Sequence, residues 1–112
     1  MSVLGVDFGT SNSAVGICVD RTAKLIPIEN GATTLPTAVF LDFETRRTVY
    51  GSAANAALIS GEEGRYMRAL KSLLGTSLMR ERRTLLNESV AFVTVVGRFL
   101  AGLRARAERA TG

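Results

Sequence analysis

Histidine is absent from the 112 residues, and cysteine occurs once, at Cys18. These absences remove zinc sites built on His and Cys, Ser-His and Cys-His catalytic pairs, and any internal disulfide. Asp, Glu, Lys, Ser, Thr and the backbone are what remain for chemistry. Long hydrophobic runs are also missing, since none approaches the roughly 18 to 20 apolar residues of a membrane span. A single thiol fits a reducing compartment. Asp7 stands where a secretory signal would carry its apolar stretch, and the first basic residue is Arg21, so the sequence reads as cytoplasmic.

What is present describes one ordinary globular domain. Apolar residues make up 46% of the chain and charged residues 21%, and a chain of this size can bury roughly 65% of its unfolded surface. The net charge of +4 is uneven. Residues 1–60 carry four basic and five acidic side chains, and residues 61–112 carry ten and five. Glu62, Glu63, Glu81, Glu88 and Glu108 interrupt the C-terminal arginines, which reads as a solvated face and not as a nucleic-acid surface. Tyr50, Tyr66 and the five phenylalanines are too scattered for a base-stacking platform.

Residues 2–8 and 14–19 are β-rich around the turn-forming run Gly9, Thr10, Ser11, Asn12 and Ser13, which predicts a hairpin. Asp20 and Arg21 form a second turn, and Pro27 predicts an edge or irregular third strand over residues 25–28. A second hairpin is expected from residues 37–43 and 48–50. Ser52 is the expected cap of an alanine-rich helix over 53–59, ended by Gly61 and Gly64. Residues 65–74 read as a short extended stretch and then about two helical turns, with Leu70, Leu73 and Leu74 on one face and Gly75 as the stop. Residues 76–89 show no sustained period and read as loop. From Val90 onward Phe92, Val96, Phe99, Leu103 and Ala107 recur at helical spacing, with Ser89 as cap and Gly112 as stop. Arg104, Arg106 and Arg109 suit the negative pole of that helix. Cys18 is expected in the core, and Glu62 and Glu63 are a helix-end pair rather than an acid–base dyad.

The segment most suggestive of chemistry is Gly5-Val6-Asp7-Phe8-Gly9-Thr10-Ser11-Asn12-Ser13. An aspartate closing a strand, then a glycine and hydroxyl residues in a tight hairpin, gathers backbone N–H groups and hydroxyls around a small concavity that suits phosphate. Asp7 could hold a hydrated Mg²⁺, which keeps several waters and can manage with one carboxylate. Neither GxxxxGK[ST] nor GxGxxG occurs. The same residues also make an ordinary β-turn, and composition alone leaves both readings open.

VLGVDFGTSNSAVGI resembles the first phosphate-binding hairpin of the actin-like ATPase superfamily, which includes sugar kinases, actin and its bacterial relatives, and the heat shock protein 70 chaperones. Three later segments resemble the chaperone branch: NGATTLPTAVFLD, VYGSAANAAL and RALKSLLG, in the same order. Phe8, Ser11 and the short basic stretch between Gly75 and Val90 depart from the common pattern and look more like divergent bacterial chaperone-like members. The resemblance implies an α/β (α+β) fold, a partial actin-like ATPase or ribonuclease H-like lobe. Antiparallel opening strands of a mixed sheet (residues 1–28) would carry a small appended subdomain (29–89) and an amphipathic helix (90–112).

It further implies that Gly9, Thr10, Ser11 and Asn12 wrap the phosphates of ATP or ADP and that Asp7 holds Mg²⁺ through water. Lys71 would reach the γ-phosphate and orient the attacking water; on composition alone it is one basic residue on a solvated helix. ATP hydrolysis, unfolded polypeptide clients and cochaperones would belong to a longer parent, of whose nucleotide-binding unit this chain supplies the opening part. The 112 residues alone are expected to turn over little ATP and to be either marginally folded or self-associating, because the first strand would expose an unpaired edge. No membrane or nucleic-acid partner is expected. A sugar kinase or filament-forming actin relative, and a non-enzymatic basic interaction module, are the alternatives.

Overall fold

Side-chain alternation along the opening strands decides which face of the first sheet is covered. The computed structural model describes residues 3–68, 70–85 and 88–111. Strand β1 (Leu4–Phe8) pairs antiparallel with β2 (Asn12–Val19), Val6 opposite Val15 and Phe8 opposite Ser13. Asp20 and Arg21, both at positive φ (49° and 65°), make the two-residue turn into β3 (Thr22–Leu25), the conformation that matches the right-handed strand twist. The strand stops short of Pro27, although the Ile26 N–H still reaches the Val15 carbonyl at 2.8 Å. Strand β4 (Thr34–Pro36) continues along that side of β2, with Pro36 opposite Asn12.

The second sheet has order β6-β5-β7, formed by β5 (Ala38–Asp42), β6 (Thr48–Tyr50) and β7 (Gly64–Arg68). Its central strand is buried on both faces. Ala38 and Phe40 pack on helix α1 (Ser52–Ile59) through Ala54 and Ala57, while Val39 and Leu41 turn to the main core. This explains an apolar run without alternation at residues 38–41.

The main core lies beneath helix α2 (Phe92–Thr111), whose buried Val95, Val96, Phe99, Leu103 and Ala107 meet Val15, Ile26, Leu35 and Val39. Phe99 is 1% exposed and contacts the rings of Phe8 and Tyr50 at centroid separations of 5.8 and 6.2 Å. Burying such a ring contributes roughly 1.5–3 kcal/mol. Burial raises the Tyr50 phenol above its ordinary value, partly offset by the Arg98 and Arg106 charges.

Several local expectations are corrected. Ser52 does not cap α1 but begins it. Gly51 holds the cap position at φ 67°, and the Glu29 carboxylate, 23 residues upstream, accepts from the Ser52 N–H and hydroxyl. Gly61 closes α1 as expected, with Gly61 N–H on the Leu58 carbonyl and Glu62 N–H on the Ala57 carbonyl. Gly64, however, belongs to β7, packed against Phe40. Residues 65–74 hold strand residues and a single 3₁₀ turn, Leu70–Leu73, with Leu70 buried and Leu74 exposed.

The expected loop over 76–89 instead contains a 3₁₀ turn (Ser77–Arg80) and a hairpin of β8 (Arg82–Leu85) and β9 (Glu88–Ala91). A two-stranded ladder needs only backbone partners, so no apolar alternation announced it. Ser89 and Val90 lie in β9, so α2 starts at Phe92 and Ser89 cannot cap it. Cys18 is exposed, not in the core. Strand alternation places it with Gly5 and Gly16 on the face of the first sheet opposite α2. The expected stop at Gly112 lies outside the described residues. Among the described residues no helix is long and apolar enough to cross a membrane.

Candidate functional site

Residues 9–11 form the loop between β1 and β2, and its shape follows from one close approach. A Cβ built on Gly9 would run into the carbonyl oxygen of Asn12, so the turn closes only around glycine. Thr10, Ser11 and Asn12 are exposed and Gly9 half-buried. The loop is anchored from beneath: the Ser11 carbonyl accepts the Thr37 N–H at 2.9 Å, and the Ser13 and Thr37 hydroxyls meet at 2.7 Å. Ser13 and Thr37 are 0% and 1% exposed, the buried polar pair of the molecule among the described residues.

The hydroxyl-bearing loop faces a groove of about 400 Å³ whose walls include Thr10, Ser11, Thr37, Asn55, Tyr66 and Arg68. The Tyr66 hydroxyl donates to Asn55 Oδ1 at 2.6 Å, joining β7 to α1 on the far wall. Asp7, Gly9, Asn12 and Lys71 do not line this groove. Asp7 is exposed on β1 opposite Ala14, on the sheet face away from α2. Lys71 is exposed on the 3₁₀ turn that follows β7. It lies three residues beyond Arg68, a backbone reach of at most roughly 11 Å.

Sequence reasoning gave Ser13 only a place in the hairpin run and left Thr37 and Glu29 without a role. The signal for Thr37 was a hydroxyl inside the apolar run Leu35 to Leu41, where a buried polar group needs a partner. Glu29 accepts from α1 and, through Oε2, from Arg106 Nη1 at 3.1 Å. No short-range pattern could reveal a partner 77 residues away. Among the described residues no three His, Cys, Asp or Glu side chains cluster as a metal site would need.

The site is thus a glycine-tight hairpin loop that presents hydroxyls on an antiparallel sheet, with the exposed Arg68 on the facing wall, and its exposed donors are of the kind an anion can use. The family model described as Hsp70 protein matches residues 3–96, and the chain belongs to the Hsp70 family. It is similar to the chaperone protein DnaK of Metamycoplasma hominis, 35% identical over 75 residues that make up 67% of this chain. DnaK of Mesomycoplasma hyopneumoniae (strain J / ATCC 25934 / NCTC 10110) is 34% identical over 74 residues, 66% of this chain. DnaK of Ureaplasma urealyticum serovar 10 (strain ATCC 33699 / Western) is 26% identical over 110 residues, 98% of this chain. The matches span 12%, 12% and 17% of those relatives' own lengths. The heat shock protein 70 resemblance and the α/β fold read from the sequence are both borne out.

Proposed function

We propose that residues 9–12 grip the phosphates of ATP or ADP and that, in a longer Hsp70-type ATPase, this hairpin serves ATP hydrolysis that drives a chaperone cycle. The observation that carries the reading is the loop itself, closed at Gly9, pinned at Ser11 and Thr37, and open to solvent at Thr10 and Ser11. Backbone N–H groups and hydroxyls would bind the phosphates, with Lys71 supplying positive charge to the transferred group. Asp7 offers an exposed hard oxygen donor that fits a hydrated Mg²⁺, whose role would be to neutralise phosphate charge. Polypeptide clients and cochaperones would be partners of the longer protein. The exposed, unpaired Cys18 fits the reducing cytoplasm.

Family membership favours this reading over a sugar kinase or an actin-like filament protein. The basic interaction module is weakened because C-terminal arginines are engaged internally, Arg104 with Glu108 at 2.8 Å and Arg106 with Glu29. In the longer ATPase, Lys71→Ala is expected to slow turnover by roughly 10²–10³ while changing nucleotide affinity little. Asp7→Ala is expected to blunt the dependence of turnover on Mg²⁺ concentration. Single-turnover hydrolysis with a parallel binding titration measures both. Unchanged turnover in both variants would remove the assignment.

A further inference from the structure

The groove beside the hairpin is stocked for a ligand richer in negative charge than Thr10 and Ser11 alone would require. Arg68 forms one wall, is exposed, and makes no ion pair among the described residues. Among the described residues no carboxylate lines the groove. The Tyr66 hydroxyl occupies Asn55 Oδ1, so the Asn55 amide NH₂ is left to donate. The groove therefore presents a guanidinium, an amide donor and two hydroxyls, with no acidic side chain among the described residues inside it to neutralise the cation.

The backbone fixes this arrangement. Thr37 N–H bonds the Ser11 carbonyl, and Ala38, the next residue, is the ladder partner of Arg68. Two rungs of roughly 4.8 Å each thus separate the loop backbone from the strand carrying Arg68. A planar guanidinium suits the bidentate geometry of phosphate oxygens.

We propose that Arg68 is a phosphate-contacting residue, taking oxygens of the terminal phosphate of a nucleoside triphosphate in this groove and so favouring the triphosphate over the diphosphate. This rests on reading residues 9–12 as a phosphate loop, and it adds a contact to that reading. Lys71, three residues further along, then serves the same anion from the 3₁₀ turn.

The test is calorimetric titration of the 112-residue chain with adenosine, ADP and ATP in Mg²⁺ buffer, for wild type, Arg68→Gln, Arg68→Lys and the charge-matched control Arg65→Gln. Arg65 is exposed on the same strand and outside the groove. Arg68→Gln should weaken ATP about tenfold, ADP by less and adenosine not at all. Arg68→Lys should restore part of the loss, and Arg65→Gln should match wild type. Wild type that prefers ATP to adenosine, with Arg68→Gln unchanged, overturns the Arg68 contact and leaves the phosphate loop standing. Equal loss in Arg65→Gln and Arg68→Gln overturns it in favour of net charge. Wild type with no preference for ATP or ADP over adenosine overturns both readings.

Discussion

The carbonyl of Asn12 is what requires glycine at residue 9. Sequence reasoning placed Gly9 in a tight hairpin suited to phosphate, whereas the geometry supplies a prior demand: the loop cannot close with a side chain at residue 9. Beneath it, the buried Ser13–Thr37 hydroxyl pair holds the loop to the start of β5. Neither hydroxyl can turn to water, so removing one strands the other. Thr37→Val is therefore expected to cost about 1–3 kcal/mol, with a cost of the same order for Ser13→Ala, and the double variant much less than their sum. Denaturant melts of the four chains close the cycle; additive losses would show that the two hydroxyls act independently. The same cycle bears on function, because a loosened Thr37 frees the Ser11 carbonyl and with it the loop.

Among the elements, α1 and α2 are tied by a residue that belongs to neither. Glu29 supplies negative charge at the N-terminus of α1, where four backbone N–H groups lack intrahelical partners, and pairs with Arg106 near the end of α2. With side chains 13% and 23% exposed, the pair is largely shielded from solvent. Glu29→Gln is expected to cost about 1–2 kcal/mol, and Arg106→Met in that background little more, read as melting temperatures of the single and double variants. Losses that simply add would mean that Glu29 serves α1 alone. This clasp marks the boundary of what the sequence discloses. The β1–β2 hairpin, the two-residue turn at Asp20 and Arg21, and the α2 stripe were legible because each is set by spacing within a few residues. Ser52 was misread as a cap because the real acceptor comes from residue 29, and the β8–β9 hairpin was missed because backbone pairing left no apolar period. Cys18 was misassigned because alternation states which residues share a face but not which face a helix will cover. The loop at residues 9–12 was legible as a motif; the groove that Arg68 lines requires β5 and β7 to be paired.

At the scale of the whole molecule, the unresolved demand is the free edge of β1. Among the described residues β1 pairs only with β2. The Val15 and Ser11 carbonyls are taken by Ile26 and Thr37, so residues of that parity on β2 point away from β1. Ala14 and Gly16 therefore hydrogen-bond to Asp7 and Gly5, and the backbone groups of Leu4, Val6 and Phe8 point outward. Beside that edge Val6 is 52% exposed over a trough of about 730 Å³ shared with Leu4, Ile17 and Leu100. The edge is symmetric about Val6: an antiparallel second copy would set Leu4 against Phe8, Val6 against Val6 and Gly5 against Asp7, with no charge facing a like charge directly. An exposed apolar edge of this kind invites strand addition. The 112-residue chain is therefore expected to dimerise at micromolar concentration through β1, and Val6→Lys, which places a charge at the centre of the pairing, to remain monomeric with its melting temperature little changed. Multi-angle light scattering across a concentration series tests this. A wild-type chain that stays monomeric throughout, or a Val6→Lys dimer as strong as wild type, would show that β1 does not mediate association.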